Sequence, residues 1–284
     1  MTDIVDSIPD LVARLDHARA EGKRVGVVPT MGALHTGHLA LVDEVRNAGA
    51  NFVVLTVFVN PLQFNDAKDL DAYPRTLDED ARAAATRGVD LVFAPSPGSM
   101  YPPGHQTSVD VHDLTRRWEG EHRPGHFRGV TTVVTKRLAL TAPAVAIFGR
   151  KDYQQWVVLR RMVEDLNLRI EMRAMDTVRE SDGLALSSRN GRLAPTDRVR
   201  ATAIARAMRA AQRRFADGER RRVVLEGVVR DSLNGDVDAI DYVACVDPET
   251  LEPASDGSVT MQLLVAVHVG GVRLIDNMRL VSTP

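Results

Sequence analysis

Up to about residue 177 the chain alternates between two hydrophobic periods, and that alternation leaves few folds open. The run RVGVV reads as a strand, GHLALVDEVRNAG as a helix with Leu39, Val42 and Val45 on one face, and FVVLTVFV as a second strand. The second strand is almost continuously apolar rather than alternating, as a parallel strand must be when helices cover both faces of its sheet. Further pairs follow: LDEDARAAATRG with VDLVFA, VTTVVTKRLAL with AVAIFG, and DYQQWVVLRRMVEDLN with RIEMRAM. The pattern predicts an α/β fold, a Rossmann-like, doubly wound parallel sheet whose ligands bind in loops beyond the carboxyl ends of the strands.

After RESDGLALSSRNGRLAP the periods change. TDRVRATAIARAMRAAQRRFADG and RVVLEGVVRDSL read as helices, and IDYVACVDP and TMQLLVAVHVGGVRLIDNMRL as a strand-rich end. The expectation is a Rossmann-like domain over 1–177 and a smaller α+β domain over 178–284. A chain of 284 residues has room for both, because domains commonly run to roughly 100–200 residues.

Charge and composition narrow the function classes. A formal net charge of −2 gives no general attraction to nucleic acid or an anionic membrane. The arginine-rich RRFADGERRR is interrupted by acids and reads as a solvated helix end. The longest apolar run is too short to span a bilayer and the start, MTDIVDSIPD, is acidic, unlike a signal peptide, so a cytoplasmic protein is expected. The single cysteine, Cys245, has no partner for an internal disulfide and stands in the apolar run YVACV, where a buried structural thiol is expected.

The chemistry-bearing residues fall at strand ends. PTMGALHTGH joins the first of these strands to its helix, where backbone N–H groups and the helix dipole favour an anion. Gly32 and Gly37 allow a tight turn, and His35 and His38, three apart, can face one way. The spacing imitates a P-loop, but His38 and Leu39 stand where that motif has lysine and a hydroxyl. A zinc site lacks a third ligand. Either histidine alone reads as an incidental turn residue, whereas the group at this location favours phosphate binding.

FGRKDYQQW follows the strand AVAIF, placing Lys151 in a loop, Asp152 at a helix N-cap, and Gln155 in the first turn. Only four of the 36 basic residues are lysines, so a lysine at this place hints that a compact charge is wanted. LALSSRN offers two hydroxyls and a guanidinium at Ser187, Ser188 and Arg189. Asn60 and Gln63 lie in VNPLQF at the end of the second strand, and RPGHFRGV reads as a mobile loop over a site.

These stretches, PTMGALHTGH, FVNPLQF, YPRT, RPGHFRGVTTVVTK, FGRKDYQQ and RESDGLALSSRN, occur in the order found in the pantothenate synthetase family, which this sequence resembles over nearly its whole length, IDYVACVDPETLEP included. The resemblance implies a ligase that joins the pantoate carboxylate to AMP, releasing pyrophosphate, and then lets the amine of β-alanine displace AMP. It implies ATP as substrate, Mg2+, pantoate and β-alanine as the small-molecule partners, and a homodimer whose second domain closes over the site. His35 and His38 would stabilise the phosphates, Lys151 would hold charge as it migrates, and Ser187, Ser188 and Arg189 would clasp the polyphosphate. Asp152, Met31 and the backbone at Gly149 would meet the nucleotide. Gln63 and Gln155 would hydrogen-bond pantoate beside Pro29, Met31 and Asn60, and Glu79 or Asp80 would help hold magnesium. Leu186 stands where the family usually has methionine, and Arg192 departs from the residue often found there; neither removes a phosphate donor. Another adenylyltransferase with the same histidine motif, an aminoacyl-tRNA synthetase, and a non-catalytic nucleotide sensor remain as alternatives.

Overall fold

The computed structural model describes residues 2–281. Its elements run β1 (Asp3–Val5), α1 (Ile8–Ala20), β2 (Val25–Thr30), α2 (Thr36–Asn47), β3 (Phe52–Val57), α3 (Ala67–Asp71), α4 (Leu77–Ala85), β4 (Leu91–Phe93), α5 (Pro97–Met100), α6 (Glu119–His122), α7 (His126–Thr141), β5 (Val145–Gly149), α8 (Tyr153–Asp165) and β6 (Glu171–Met175). They continue with α9 (Pro195–Ala201), α10 (Ala203–Ala216), α11 (Arg222–Leu233), β7 (Ala239–Val246), β8 (Thr260–Val269) and β9 (Val272–Val281). The chain divides into two compact units. One runs to Arg150 and resumes at Gln155–Met175; the other takes Lys151–Gln154 and continues from Asp176.

The first unit is a Rossmann-like parallel sheet in the order β1-β4-β3-β2-β5-β6. The order reverses between β2 and β5, and there the pairing is short. β2 stays in register with β3 as far as Thr30↔Val57, yet meets β5 only at Gly26↔Val145 and Val27↔Ala146. The carboxyl ends of the two strands therefore part, which is how an open α/β sheet makes its ligand crevice. Pro29 stands beyond the last β2–β5 pair, where a residue with no N–H to donate costs the sheet least. Val28, Val42, Val45, Val53, Leu55 and Ile147 are buried together between α2 and the sheet. Gly26 lets α2 approach that closely: a Cβ there would lie 2.5 Å from Val45 Cγ2 and 2.6 Å from Ala50 Cβ.

The second unit packs α10 and α11 on an antiparallel sheet, β7-β8-β9, over a core that includes Met208, Phe215, Leu225, Val229, Leu263 and Val265. The stretch read as one helix from Thr196 is broken at Thr202, whose hydroxyl bonds back to Val199 O at 2.7 Å, leaving α9 and α10 as separate pieces. Lys151–Gln154 group with this unit through named bonds. Tyr153 Oη donates to Pro248 O at 3.1 Å and Asn277 Nδ2 donates to Lys151 O at 2.8 Å. No helix among the described residues is long and apolar enough to cross a membrane.

Candidate functional site

The β2–α2 connection brings the two histidines together and fixes their chemistry. His35 is the N-cap of α2, its backbone extended at φ −128° and ψ 173°. Its Nδ1 accepts from Gly37 N at 3.2 Å, while His38 Nδ1 accepts from His35 N at 3.4 Å, a reciprocal capping box built from imidazoles. The rings stack with centroids 4.0 Å apart and planes inclined by 27°. A neutral imidazole whose Nδ1 accepts must carry its proton on Nε2, so both rings present an Nε2–H donor.

The backbone amides of this connection serve a different end from the one expected of them. Gly32 N donates to Thr30 Oγ1 at 3.2 Å, Ala33 N to Asp80 Oδ2 at 3.0 Å and Leu34 N to Asp80 Oδ1 at 2.7 Å. His38 N and Leu39 N both donate to His35 O. The amides that were to cradle a phosphate are occupied inside the protein. Gly32 has φ +83°, and a Cβ there would meet Asp80 Oδ2 at 2.9 Å and Val57 Cγ1 at 3.0 Å, so glycine is required by both conformation and space. The next residue, Ala33, is also left-handed at φ 51°, held there by the Asp80 carboxylate.

Beyond β3, Asn60 and Gln63 come together around a single turn. Asn60 is fully buried: its Oδ1 accepts from Leu62 N at 3.3 Å and Tyr101 Oη at 2.8 Å, and its Nδ2 donates to Gln63 Oε1 and Gly129 O, each at 3.1 Å. Asn60 thus orients Gln63, whose Nε2 reaches Met31 Sδ at 2.9 Å. Burial pushes the Tyr101 phenol up to about 12, so it stays a donor. The stretch RPGHFRGV is no mobile loop. His126 opens α7 with Phe127, Gly129 and Val130 also buried, because α7 packs its first turns on Pro61–Gln63. His126 Nδ1 donates to Gln63 O at 2.8 Å and Arg123 Nη2 to the same carbonyl at 3.1 Å. A Cβ on Gly129 would lie 2.2 Å from Leu62 O, so the contact is backbone against backbone.

Arg137 was not anticipated. It is buried in α7 and its Nη2 donates to Thr30 O and Phe58 O, each at 3.1 Å, tying the last residue of β2 to the residue just past β3. Burial lowers its guanidinium to about 10. The available signal was its place between Val134 and Leu138 on an otherwise apolar helix face, where a charge is seldom accidental. Gly149 ends β5 beside the strand parting, and Gln155, half-buried, lies in the first turn of α8.

In the second unit, Lys151 and Asp152 lie half-buried immediately before α8. RESDGLALSSRN is a folded turn rather than a polar linker: Arg179 and Ala185 form an antiparallel bridge, and Glu180 N donates to Leu184 O at 2.8 Å. Ser187 caps the short turn Ser188–Arg192, its Oγ accepting from Arg189 N at 3.2 Å. Asn190 Nδ2 bonds Glu180 Oε1 at 3.1 Å and Ala185 O at 3.0 Å, fixing the turn from behind. Leu186 donates its N–H to Val178 O at 3.0 Å, a backbone bond indifferent to the choice between leucine and methionine. Arg179 grips Asp276 bidentately at 2.7 and 3.0 Å, a pair that only tertiary structure reveals.

Of the two carboxylates expected as alternatives for magnesium, one is already committed inside the protein. Asp80 is buried with both oxygens on backbone amides, whereas Glu79, one step round α4, is exposed. Among the described residues no group of three or more His, Cys, Asp or Glu side chains could hold a metal ion. Cys245 is fully buried and desolvation pushes its thiol up to about 12, so it is no nucleophile.

Comparison with known proteins gives concordant matches. The family described as pantoate-beta-alanine ligase matches residues 3–279. A pantothenate synthetase of Syntrophotalea carbinolica is 47% identical over 276 residues, covering 97% of each chain. The crystal structure of pantothenate synthetase from Thermus thermophilus superposes with a TM-score of 0.92 at 44% identity, over 99% of this chain and 100% of that one. A pantoate-beta-alanine ligase from Francisella tularensis, crystallised with beta-gamma ATP and beta-alanine, gives a TM-score of 0.81 at 31% identity, over 98% and 97%.

Proposed function

The chain belongs to the pantoate-beta-alanine ligase family, and on that premise we propose that it condenses pantoate with β-alanine through a pantoyl adenylate, consuming ATP and releasing first pyrophosphate and then AMP. The observation that carries the reading is the stacked pair His35 and His38, each held through Nδ1 so that its Nε2–H is a donor of fixed direction.

Attack of the pantoate carboxylate on the α-phosphate needs no enzymic nucleophile. It needs alignment, and donors placed where charge gathers on the phosphates. In this reading the two imidazoles supply those donors, Lys151 follows the charge that moves onto pyrophosphate, and Ser187, Ser188 and Arg189 bind the polyphosphate. Met31, Gly149 and Asp152 meet the nucleotide. Gln63 and Gln155 hydrogen-bond the hydroxyls of pantoate beside Pro29 and Met31, while Asn60 acts one step back by orienting Gln63. Neutral amides suit a substrate that carries hydroxyls and a carboxylate but no phosphate. Asp80, whose oxygens hold Ala33 N and Leu34 N, does not fit the magnesium role, and Glu79 would help hold the ion beside the phosphates of ATP. The homodimer implied by the resemblance and the cytoplasmic setting expected from the sequence belong to the same proposal.

The test is isotope exchange. The purified protein with ATP, Mg2+ and pantoate should move labelled pyrophosphate into ATP in the absence of β-alanine, since only an adenylate permits that reversal. Added β-alanine should then release AMP. ADP as the nucleotide product, or exchange indifferent to pantoate, would overturn the proposal.

A further inference from the structure

A buried chain of amides runs through the second unit and ends on the backbone of Lys151. Asn277, on β9, donates from Nδ2 to Lys151 O at 2.8 Å, and Gln262, on β8, donates from Nε2 to Asn277 Oδ1 at 2.8 Å. Both side chains are buried, Gln262 to 1% exposure. The far atom, Gln262 Oε1, is buried with no hydrogen-bond partner. The orientation follows from the end at the lysine. A carbonyl can only accept, so Asn277 must present its NH2 to Lys151; its oxygen then faces Gln262, which must present its own NH2, and the leftover oxygen is stranded in the core. An orphan acceptor inside a sheet destabilises the fold, and apolar residues at both positions would avoid it.

The same stretch of β9 also holds the segment that leads to the serines. Asp276 receives both Nη atoms of Arg179, whose Nη1 further donates to Gly183 O at 3.1 Å and whose Nη2 donates to Asn277 O at 3.2 Å. Two neighbouring residues of one strand therefore fix the chain at Lys151 and at the foot of the turn that carries Ser187–Arg189.

We propose that Gln262 and Asn277 are positioning residues for the ligase reaction, holding the Lys151 main chain so that the lysine's charge is delivered at a fixed place. The proposal rests on the assignment of Lys151 to the phosphates. A lysine side chain has four rotatable carbons and finds its target only as well as its own backbone is placed. Locating that backbone by a directional bond from the sheet interior is the kind of support a preorganised donor requires.

The decisive variant is the double substitution Gln262→Met and Asn277→Leu, which removes both amides together and with them the stranded oxygen. It is expected to melt within a few degrees of the parent protein, because loss of the stranded Gln262 oxygen offsets loss of the donor to the half-buried Lys151 O. Its pantoate-dependent pyrophosphate exchange should nevertheless fall roughly ten- to a hundredfold in kcat, the scale of a misplaced catalytic group, with the KM for ATP changed by less than about threefold. Lys151→Ala is measured in parallel, alone and combined with the double substitution. If the amides act through Lys151, adding their loss to Lys151→Ala costs no further activity. Gln262→Met alone, which removes the bond that orients the Asn277 amide, carries the same cycle should the double variant fold poorly. Parental exchange in the amide variants beside a slow Lys151→Ala, or an equal loss in both backgrounds, would overturn the positioning role and leave Lys151 standing. Parental exchange in Lys151→Ala would remove the premise and the proposal with it.

Discussion

Removing the Asp80 carboxylate separates two readings of that residue. In the structure its oxygens accept from Ala33 N at 3.0 Å and Leu34 N at 2.7 Å, in a place 2% exposed to solvent. Asp80→Ala leaves two half-buried amides without that acceptor. Hydrogen bonds to a charged group contribute about 1.5–3 kcal/mol each, so the two together come to about 3–6 kcal/mol. That is a large part of the roughly 5–15 kcal/mol that holds a typical domain together. At about 2–4 °C of melting temperature per kcal/mol for a unit of this size, the loss should appear as a drop on the order of 10 °C. The released segment carries His35, so adenylation should fall with it. Differential scanning calorimetry without nucleotide or magnesium reads the first effect, and pyrophosphate exchange across a magnesium titration reads the second. If Asp80 were a metal ligand, the variant would melt normally in EDTA and recover exchange at high magnesium. That pair of results would refute the clamp.

Three further outcomes are expected. His35→Ala and His38→Ala should each lose on the order of a hundredfold in exchange, the usual cost of deleting one preorganised donor, and melt a few degrees lower for the lost cap of α2; normal turnover in both would end the phosphate role. Gly129→Ala forces a Cβ against Leu62 O and should raise the KM for pantoate roughly tenfold while that for ATP holds within about twofold, as initial-rate kinetics would show. The Cys245 thiol titrates at about 12 in the folded protein against an ordinary value of 9.0, so the folded state keeps a proton that the unfolded chain releases, and stability is intact below pH 9 and declines as pH rises above it. Between pH 9 and 10.5 the decline should reach on the order of 2 kcal/mol. Urea unfolding of Cys245→Ala should lack that part of the slope, and parallel curves for the two proteins would contradict the burial argument.

The parallel sheet was legible because its strands and helices announce themselves by period: FVVLTVFV and GHLALVDEVRNAG become β3 and α2 within a few residues of the reading. Helix α1 was passed over although its signals stand in the sequence. Ser7 caps it by accepting from Asp10 N at 3.1 Å, Pro9 follows in the first turn, and Leu11, Leu15 and Ala18 keep helical spacing. RPGHFRGV was misread for a physical reason. Glycine and proline mark irregular backbone, but Gly129 is needed for a close approach within α7, and spacing cannot tell the two uses apart. The chemistry-bearing side chains were visible by type and place, whereas those that orient them, Arg137, His126, Asp276, Gln262 and Asn277, depend on contacts between residues distant in the chain. No local pattern encodes that Asn277 meets a carbonyl 126 residues earlier.

The occupied amides of the β2–α2 connection alter where this protein's sensitivity to substitution should lie. In a cradle of backbone N–H groups the ligand is held by the main chain, so side chains can vary and the glycines that shape the loop cannot. Here the N–H groups of Gly32, Ala33, Leu34, His35 and Gly37 all have partners within the protein, and two of those partners are the imidazoles themselves. Each ring therefore acts twice: Nδ1 holds the helix start, and Nε2 carries the proton that makes it a donor. A substitution that keeps the acceptor at Nδ1 but loses Nε2, such as His35→Asn, preserves the first action and abolishes the second. Asparagine is among the best N-cap residues, so the helix start should be unharmed. Loss of activity in His35→Asn at parental stability would then belong to the missing donor alone, separating the chemistry of this loop from its folding.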